Sequence, residues 1–151
     1  MPELQPKLTE QKVDLRNTMN STWSDWWRQK KRNNQEYFSA AEAGNLDKCR
    51  KLLNKEIMHD MVADINFKGL DQWTALHSAS NHGHLNIVQE LLKQPSIVID
   101  SESTIKRTAL HLACIRGHSE IVVALIQKGA NPNHKDFDES TPLHCASEFG
   151  Q

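Results

Sequence analysis

The sequence has little of what would place a chain in an enzymatic, secreted or membrane class. No apolar run reaches the roughly 18 residues that a membrane-spanning helix needs. The net charge of −1 gives no general attraction to nucleic acid or to an anionic surface. Three cysteines in 151 residues are too few for a disulfide framework. Only 38% of the residues are hydrophobic, which suits a thin stack of repeated units better than a thick globular core.

Motifs that carry chemistry are also missing. The eight histidines form no HxxxH or HExxH pattern, no CxxC pair occurs, and no glycine-rich phosphate loop is present. Cys145 directly follows His144, and neighbouring residues on a helix point about 100° apart, so the two make a poor catalytic pair. We therefore expect no enzymatic activity, no catalytic residue, no metal, no cofactor and no small-molecule substrate. The cysteines are interpreted as small apolar residues in a reducing compartment.

The clearest feature that is present is a helix–turn–helix pattern at 108–133. Thr108 is suited to cap a helix, and Gly117 to end it in a left-handed conformation. Ser119 can cap a second helix that Gly129 closes. Each helix has one apolar face, made by Leu110, Ala113 and Cys114 in the first and by Ile121, Val122, Leu125 and Ile126 in the second. Helices this short are marginal alone, so the unit must pack against others.

Copies of this unit lie on both sides of it. The pattern Thr-x-Leu-His begins at Thr74, Thr108 and Thr141, with spacings of 34 and 33 residues. A Gly-His pair follows the first two copies at Gly83 and Gly117. A degraded earlier copy has Tyr37 in the leucine position, Ala40 in the alanine position and Gly44 at the turn. Self-similarity at a fixed period is the signature of a repeat protein.

The tetrapeptide, the Gly-His turn and the period near 33 together resemble the ankyrin repeat, over about residues 35–151. The resemblance implies an all-α solenoid of stacked helix–turn–helix units with β-hairpin-like finger loops. The predicted repeats are about 35–68, 69–102, 103–135 and an incomplete 136–151. Because the last copy stops after its first helix, we expect the chain to be part of a longer array.

The chain departs from the family pattern at the fingers and at the helix starts. Gln72, Lys106 and Glu139 stand where the finger glycine is expected, and Ala75 and Ala109 replace the proline after threonine. A turn that needs positive φ is less comfortable without glycine, and loss of proline removes pre-organisation at the first helical position. We expect folded but looser fingers, especially at 101–107.

The segment before the repeats is divided into two parts. Residues 1–20 are predicted to be a flexible tail. Residues 21–34 are predicted to be a short helix in which Trp23, Trp26 and Trp27 share one face, followed by basic residues. We expect this helix to cap the stack, with its indoles covering the first repeat. Three alternatives stay open: an aromatic partner-binding motif, attachment to a membrane surface, and a nuclear localisation signal at 30–32.

The family resemblance places the partner contacts on a concave face, formed by the finger tips and the exposed ends of the inner helices. Carried over position by position, the predicted contact residues are Leu70, Asp71, Trp73, Asn81, His82, Ile105, Arg107, Ile115, Arg116, Phe137, Ser140 and Phe149. Several are apolar, and tryptophan and arginine are frequent hot-spot residues. Arg107 and Arg116 beside apolar neighbours suggest a partner segment with an acidic side chain or a C-terminal carboxylate.

The predicted function is therefore non-enzymatic protein–protein interaction through this concave face. We expect a monomer in the cytoplasm, or alternatively in the nucleus, that binds a protein partner and no nucleic acid. One alternative is that the repeats target or regulate a larger multidomain protein such as a kinase, channel, acyltransferase or ligase adaptor. Another is membrane tethering through the tryptophan-rich helix. Fold alone does not choose among them.

Overall fold

A computed structural model describes the backbone of residues 8–54 and 62–151, and their side chains from residue 23 onward. Within these ranges the regular structure consists of helices alone, which confirms the predicted all-α class. A short 3-10 turn also lies at Leu70–Gln72. The seven α-helices are α1 Leu8–Glu42, α2 Leu46–Leu53, α3 Ala75–His82, α4 Leu85–Leu92, α5 Ala109–Arg116, α6 Ser119–Gln127 and α7 Pro142–Glu148.

The helices form two layers. The end of α1 packs against α3, α3 against α5, and α5 against α7, which makes the inner layer. The outer layer is α2, α4 and α6, each paired with the inner helix before it. Leu76 and Leu110 of the inner layer and Ile87, Leu91 and Leu125 of the outer layer are buried between neighbouring units. The core is therefore a strip one unit thick that each repeat extends.

The inner helices α3, α5 and α7 each begin with the same threonine–histidine capping box. The backbone N–H of Thr74 donates to Nδ1 of His77 at 3.1 Å, and that of Thr108 donates to Nδ1 of His111 at 3.2 Å. In the first box the backbone N–H of His77 donates in return to the Thr74 hydroxyl. These bonds satisfy donors that have no partner inside the helix, so the predicted capping role is confirmed.

The N-terminal helix differs from the prediction. Instead of a tail, a short helix and a separate first repeat, the backbone forms one 35-residue helix from Leu8 to Glu42. The reason is that no glycine or proline occurs between these residues, and the first helix-ending residue is Gly44, with φ +74°. At about 1.5 Å per residue α1 is about 52 Å long, and only its C-terminal part serves as an inner helix. Residues 1–7 of the predicted tail lie outside the described ranges.

The fingers between the units are closed by backbone hydrogen bonds. Gly69 N–H donates to Trp73 O at 2.8 Å, and the Ser103–Arg107 and Asp136–Ser140 pairs repeat this bond at 2.9 Å. The three residues that replace the finger glycine all have positive φ, namely Gln72 at 60°, Lys106 at 56° and Glu139 at 59°. The expectation that these positions need a left-handed backbone is confirmed. The predicted looseness stays a prediction.

Replacing Lys106 with glycine is expected to raise the free energy of unfolding by about 1 kcal/mol, because a side chain in the left-handed region costs about 1–2 kcal/mol and glycine's larger unfolded-state entropy offsets part of this. The measurement is urea denaturation followed by circular dichroism. Lys106→Ala is the control, since it removes the same charge and keeps Cβ. Equal stabilisation by alanine and glycine would show that charge, and not backbone strain, is responsible.

Candidate protein-binding face

The predicted contact residues of the fingers lie at or next to the three finger tips. Leu70 is 88% exposed and Phe137 is 74% exposed, and Ile105 of the middle finger is also exposed. The tips are joined by backbone hydrogen bonds, from Thr104 N–H to Asp71 O at 2.9 Å and from Phe137 N–H to Ile105 O at 3.0 Å. Apolar side chains are thus presented to solvent on a backbone that is tied from one repeat to the next.

Contact residues on the inner helices, and Trp73 just before α3, are partly used by the fold. Trp73 is half-buried and stacks on His77, with ring centroids 6.3 Å apart and planes at 24°, so its own repeat occupies one face of the indole. Asn81 accepts a hydrogen bond at its Oδ1 from Arg116 Nε at 3.0 Å, which links α3 to α5. His82 and Arg116 are exposed, whereas Ile115 is half-buried. The structure therefore brings Asn81 and Arg116 together.

Two predicted contact residues have a structural role that the sequence did not show. Arg107 Nε donates to Asp136 Oδ2 at 3.1 Å, and the Asp136 side chain is only 1% exposed. The Ser140 N–H donates to Asp136 Oδ1 at 3.0 Å. Asp136 was not identified from the sequence as a site residue. The repeat register could have pointed to it, because Ser103 occupies the equivalent position of the preceding finger. There the Ser103 hydroxyl accepts from the Arg107 N–H at 3.1 Å. A side-chain acceptor at the first finger position closes the finger in both repeats.

Buried histidines connect each repeat to the next finger. His77 Nε2–H donates to Arg107 O at 3.0 Å, and His111 Nε2–H donates to Ser140 O at 3.1 Å. Because Nδ1 accepts from the capping threonine, each ring is bonded as a neutral imidazole. Burial lowers the pKa of His77 to about 4 and lowers that of His111 in the same direction. These rings act as links between repeats.

Three side chains that could ligate a metal lie close together near the last finger. His111, Asp136 and Cys145 are buried, with ligand atoms within 4.8 Å of one another. Both ring nitrogens of His111 are already hydrogen-bonded, and the carboxylate of Asp136 accepts from Arg107 and from the Ser140 N–H. Burial raises the pKa of the Cys145 thiol, and the nearby Asp136 raises it further, which disfavours the thiolate that a metal needs. The cluster fits a hydrogen-bond network that holds the last finger.

The histidines at the turns do not converge on a common ligand position either. His84 Nε2 bonds to Glu42 O at 2.9 Å and His118 Nε2 bonds to Asn81 O at 3.3 Å, so each ring reaches the preceding repeat. His82 Nδ1 bonds to Ser78 O within its own helix. Each ring thus has one nitrogen hydrogen-bonded to a backbone carbonyl, and His84 and His118 link their repeats to the preceding ones.

The expectation that the indoles of α1 cover the first repeat is wrong for two of them. Trp23 is 65% exposed and Trp27 is 64% exposed, and Trp26 between them is half-buried. These residues lie closer to the start of α1 than two side chains that hydrogen-bond to the repeats. Lys30 Nζ donates to Val62 O, and Asn34 Oδ1 accepts from the Asp64 N–H at 2.8 Å.

The far side of α7 is open for a different reason. Leu143 stands at the position of Leu76 and Leu110, but it is 74% exposed, whereas Leu76 is 1% exposed. Leu76 and Leu110 are covered by the following inner helix, and in the described structure none follows α7. Phe149, the C-cap residue of α7, is 51% exposed.

Stacked helix–turn–helix units with an exposed face of finger tips define a repeat protein of the interaction type. A family profile described as ankyrin repeats, in three copies, matches residues 25–103 and 97–151. The chain belongs to the ankyrin-repeat family. This family is generally a non-enzymatic interaction domain, and its repeats imply protein partners. No helix of the described residues is both long enough and apolar enough to cross a membrane.

The chain is similar to segments of longer curated proteins. The chain is 30% identical over 142 residues to mouse ankyrin repeat domain-containing protein 53, covering 90% of this chain and 27% of that protein. It is 37% identical over 75 residues to bovine inactive serine/threonine-protein kinase TEX14, covering 50% and 5%. It is 40% identical over 63 residues to human oxysterol-binding protein-related protein 1, covering 39% and 7%. The chain thus spans about a quarter or less of each of these relatives.

Proposed function

We propose that this chain is a non-enzymatic module that binds a partner protein through its concave face. The observation that carries the proposal is the exposure of Leu70 and Phe137 at the finger tips, where solvent would favour polar side chains. Ile105 adds a third apolar tip between them. Large apolar side chains that are exposed in the free protein are typical anchors of protein interfaces.

Hydrogen bonds hold the parts of the concave face together in the free chain. Backbone hydrogen bonds join the three fingers, and the rings of His77 and His111 hydrogen-bond the second and third fingers to the preceding inner helix. Binding then costs less conformational entropy than it would on free loops. This supports a role for the fingers in recognition, and we propose that the chain acts as a monomer.

Replacing Leu70 and Phe137 together with alanine is expected to lower the affinity for a partner by about tenfold or more, because hot-spot truncations cost at least about 1–2 kcal/mol. A photo-crosslinking residue placed at Phe137 in cells would first capture and identify the partner, whose affinity is then measured by interferometry. Val123→Ala is the control, since Val123 is exposed on the outer helix α6. Equal crosslinking from position 123, or an unchanged affinity in the double variant, would move binding to another surface.

We further propose a cytoplasmic location, which the three free cysteines support.

An alternative role is that the module targets or regulates a larger protein, such as a kinase, channel, acyltransferase or ligase adaptor. The longer relatives that share this segment support that alternative.

A second candidate function is attachment to a membrane surface through α1. The exposed indoles of Trp23 and Trp27 favour it, with Lys31 and Arg32 following on the same helix, because tryptophan and cations together suit the lipid headgroup region. The expected result is that the full chain sediments with vesicles containing about 30% phosphatidylserine, and that Trp23→Ala with Trp27→Ala abolishes this. Phosphatidylcholine vesicles are the control. No sedimentation of the wild-type chain at low salt would exclude this function.

A further inference from the structure

Arg116 is held in a fixed position on the concave face. Its Nε donates to Asn81 Oδ1 at 3.0 Å across the α3–α5 contact, while the side chain as a whole is exposed. Because only Nε is engaged within the described part of the chain, both terminal Nη groups of the planar guanidinium remain available as a fork. Such a fork matches the two oxygens of a carboxylate, and an anchored guanidinium loses less freedom when it binds one.

The charge of Arg116 is not compensated within the described part of the chain. Arg107 pairs with Asp136, Arg50 with Glu90 and Arg28 with Asp25, but no carboxylate lies within ion-pair distance of Arg116. Its partner Asn81 is a neutral amide. A cation that is positioned by a neutral side chain keeps its full charge for a ligand.

The neighbours of Arg116 define what else the ligand would meet. His82 and Phe149 stand at the equivalent positions of the repeats before and after, since α5 packs between α3 and α7. Both are exposed, and the half-buried Ile115 lies next to Arg116 in the chain. The arginine is therefore flanked by an imidazole on one side and by an apolar surface on the other.

Resting on the proposed function, we propose that the concave face recognises an acidic side chain, Asp or Glu, within an extended partner segment. Arg116 binds this carboxylate with both Nη groups, and an apolar side chain one or two residues away contacts Phe149. A C-terminal carboxylate is less suited, because protein sites for chain termini use free backbone N–H groups. The N–H groups of Gly117 and His118, which follow Arg116, already donate to Cys114 O and Ala113 O at 3.2 and 2.9 Å.

Asn81 acts here as a positioning residue. Its side chain holds Arg116, and its backbone carbonyl accepts from His118 Nε2 at 3.3 Å, which fixes it relative to α5. The exposed Lys128, which follows the outer helix α6, is a matched control because Lys128→Glu changes the net charge as Arg116→Glu does.

The test selects ligands from a displayed library of random 16-residue peptides against the full chain. The expected result is enrichment of Asp or Glu next to an aromatic or aliphatic residue. Fluorescence anisotropy with amidated synthetic peptides then gives affinities. Arg116→Glu should weaken binding by about tenfold or more and Arg116→Lys or Asn81→Ala by about threefold to tenfold, as expected for a charge-assisted hydrogen bond, with Lys128→Glu within about twofold of wild type.

Two outcomes would overturn the proposed carboxylate site. In the first, the selected peptides show no acidic enrichment, or Arg116→Glu and Lys128→Glu weaken binding equally. In the second, peptides bind only when their C-terminus is free, which would show that the site recognises a terminal carboxylate and not an acidic side chain. The double variant Leu70→Ala with Phe137→Ala distinguishes these outcomes from failure of the proposed function. If the double variant loses peptide binding, binding through the concave face is supported and only the carboxylate site is disproved. If no variant of the face affects any selected peptide, the proposed function fails as well.

Discussion

Replacing Arg107 with alanine is expected to lower the free energy of unfolding by about 3 kcal/mol, the lower end of the range for breaking a buried ion pair. The variant leaves the carboxylate of Asp136 without the guanidinium, and that side chain is 1% exposed. Burial by itself disfavours the charged form, and the bonds from Arg107 and from the Ser140 and Asp138 N–H groups outweigh it and hold the pKa of Asp136 below its usual value. Urea denaturation at pH 7 measures the loss.

A double-mutant cycle separates the ion pair from the other contacts of both residues. Asp136→Ala alone also removes the acceptor for the Ser140 N–H, so its cost includes the closing of the last finger. The variant with both alanines should be more stable than the sum of the single losses predicts, with a coupling energy of at least about 1 kcal/mol. Strict additivity would show that Arg107 and Asp136 contribute independently, in contradiction to the 3.1 Å contact.

The repeat helices could be predicted because the signals that begin and end them are local. The threonine and histidine of each capping box are three residues apart, and the glycine that ends the helix lies within the same unit. The boundary predicted near Ser21 rested on a change in composition, which does not end a helix. The chain from Leu8 to Glu42 lacks glycine and proline, so the helix continues through that change.

The candidate face could be predicted only in part. The finger-tip positions of Leu70 and Phe137 follow from the register of the repeats, which fixes where the tips lie. The engagement of Arg107 depends on a carboxylate 29 residues later, and the anchoring of Arg116 depends on an amide 35 residues earlier. Such pairs depend on how neighbouring repeats dock and on side-chain rotamers, which the period alone does not specify. Trp23 and Trp27 show the reverse case, in which aromatic residues were expected to be buried but are 65% and 64% exposed.

Acidification from pH 7 to pH 4 is expected to remove on the order of 3 kcal/mol of stability through His77 alone. In the unfolded chain the ring titrates near pH 6.5, whereas burial in the fold lowers its pKa to about 4. The contribution is therefore fully present above about pH 6.5, and it is lost progressively toward pH 4 as the unfolded state takes up a proton that the folded state does not. His111, whose pKa burial also lowers, adds a loss in the same direction.

The neutral ring is required because His77 Nδ1 accepts from the Thr74 N–H, and protonation would place the ring's second proton on that nitrogen, which could then no longer accept. His77→Gln should reduce the difference in unfolding free energy between pH 7 and pH 4.5, at the cost of lower stability at pH 7. His144→Gln is the matched control, since its ring makes the same bond to Thr141 but is exposed, so the acid loss should persist. Urea denaturation curves at pH 7 and pH 4.5 measure the unfolding free energy of each variant. A wild-type chain equally stable at pH 7 and 4.5 would mean that these rings are not held neutral, and the links from His77 to Arg107 and from His111 to Ser140 would then have to be revised.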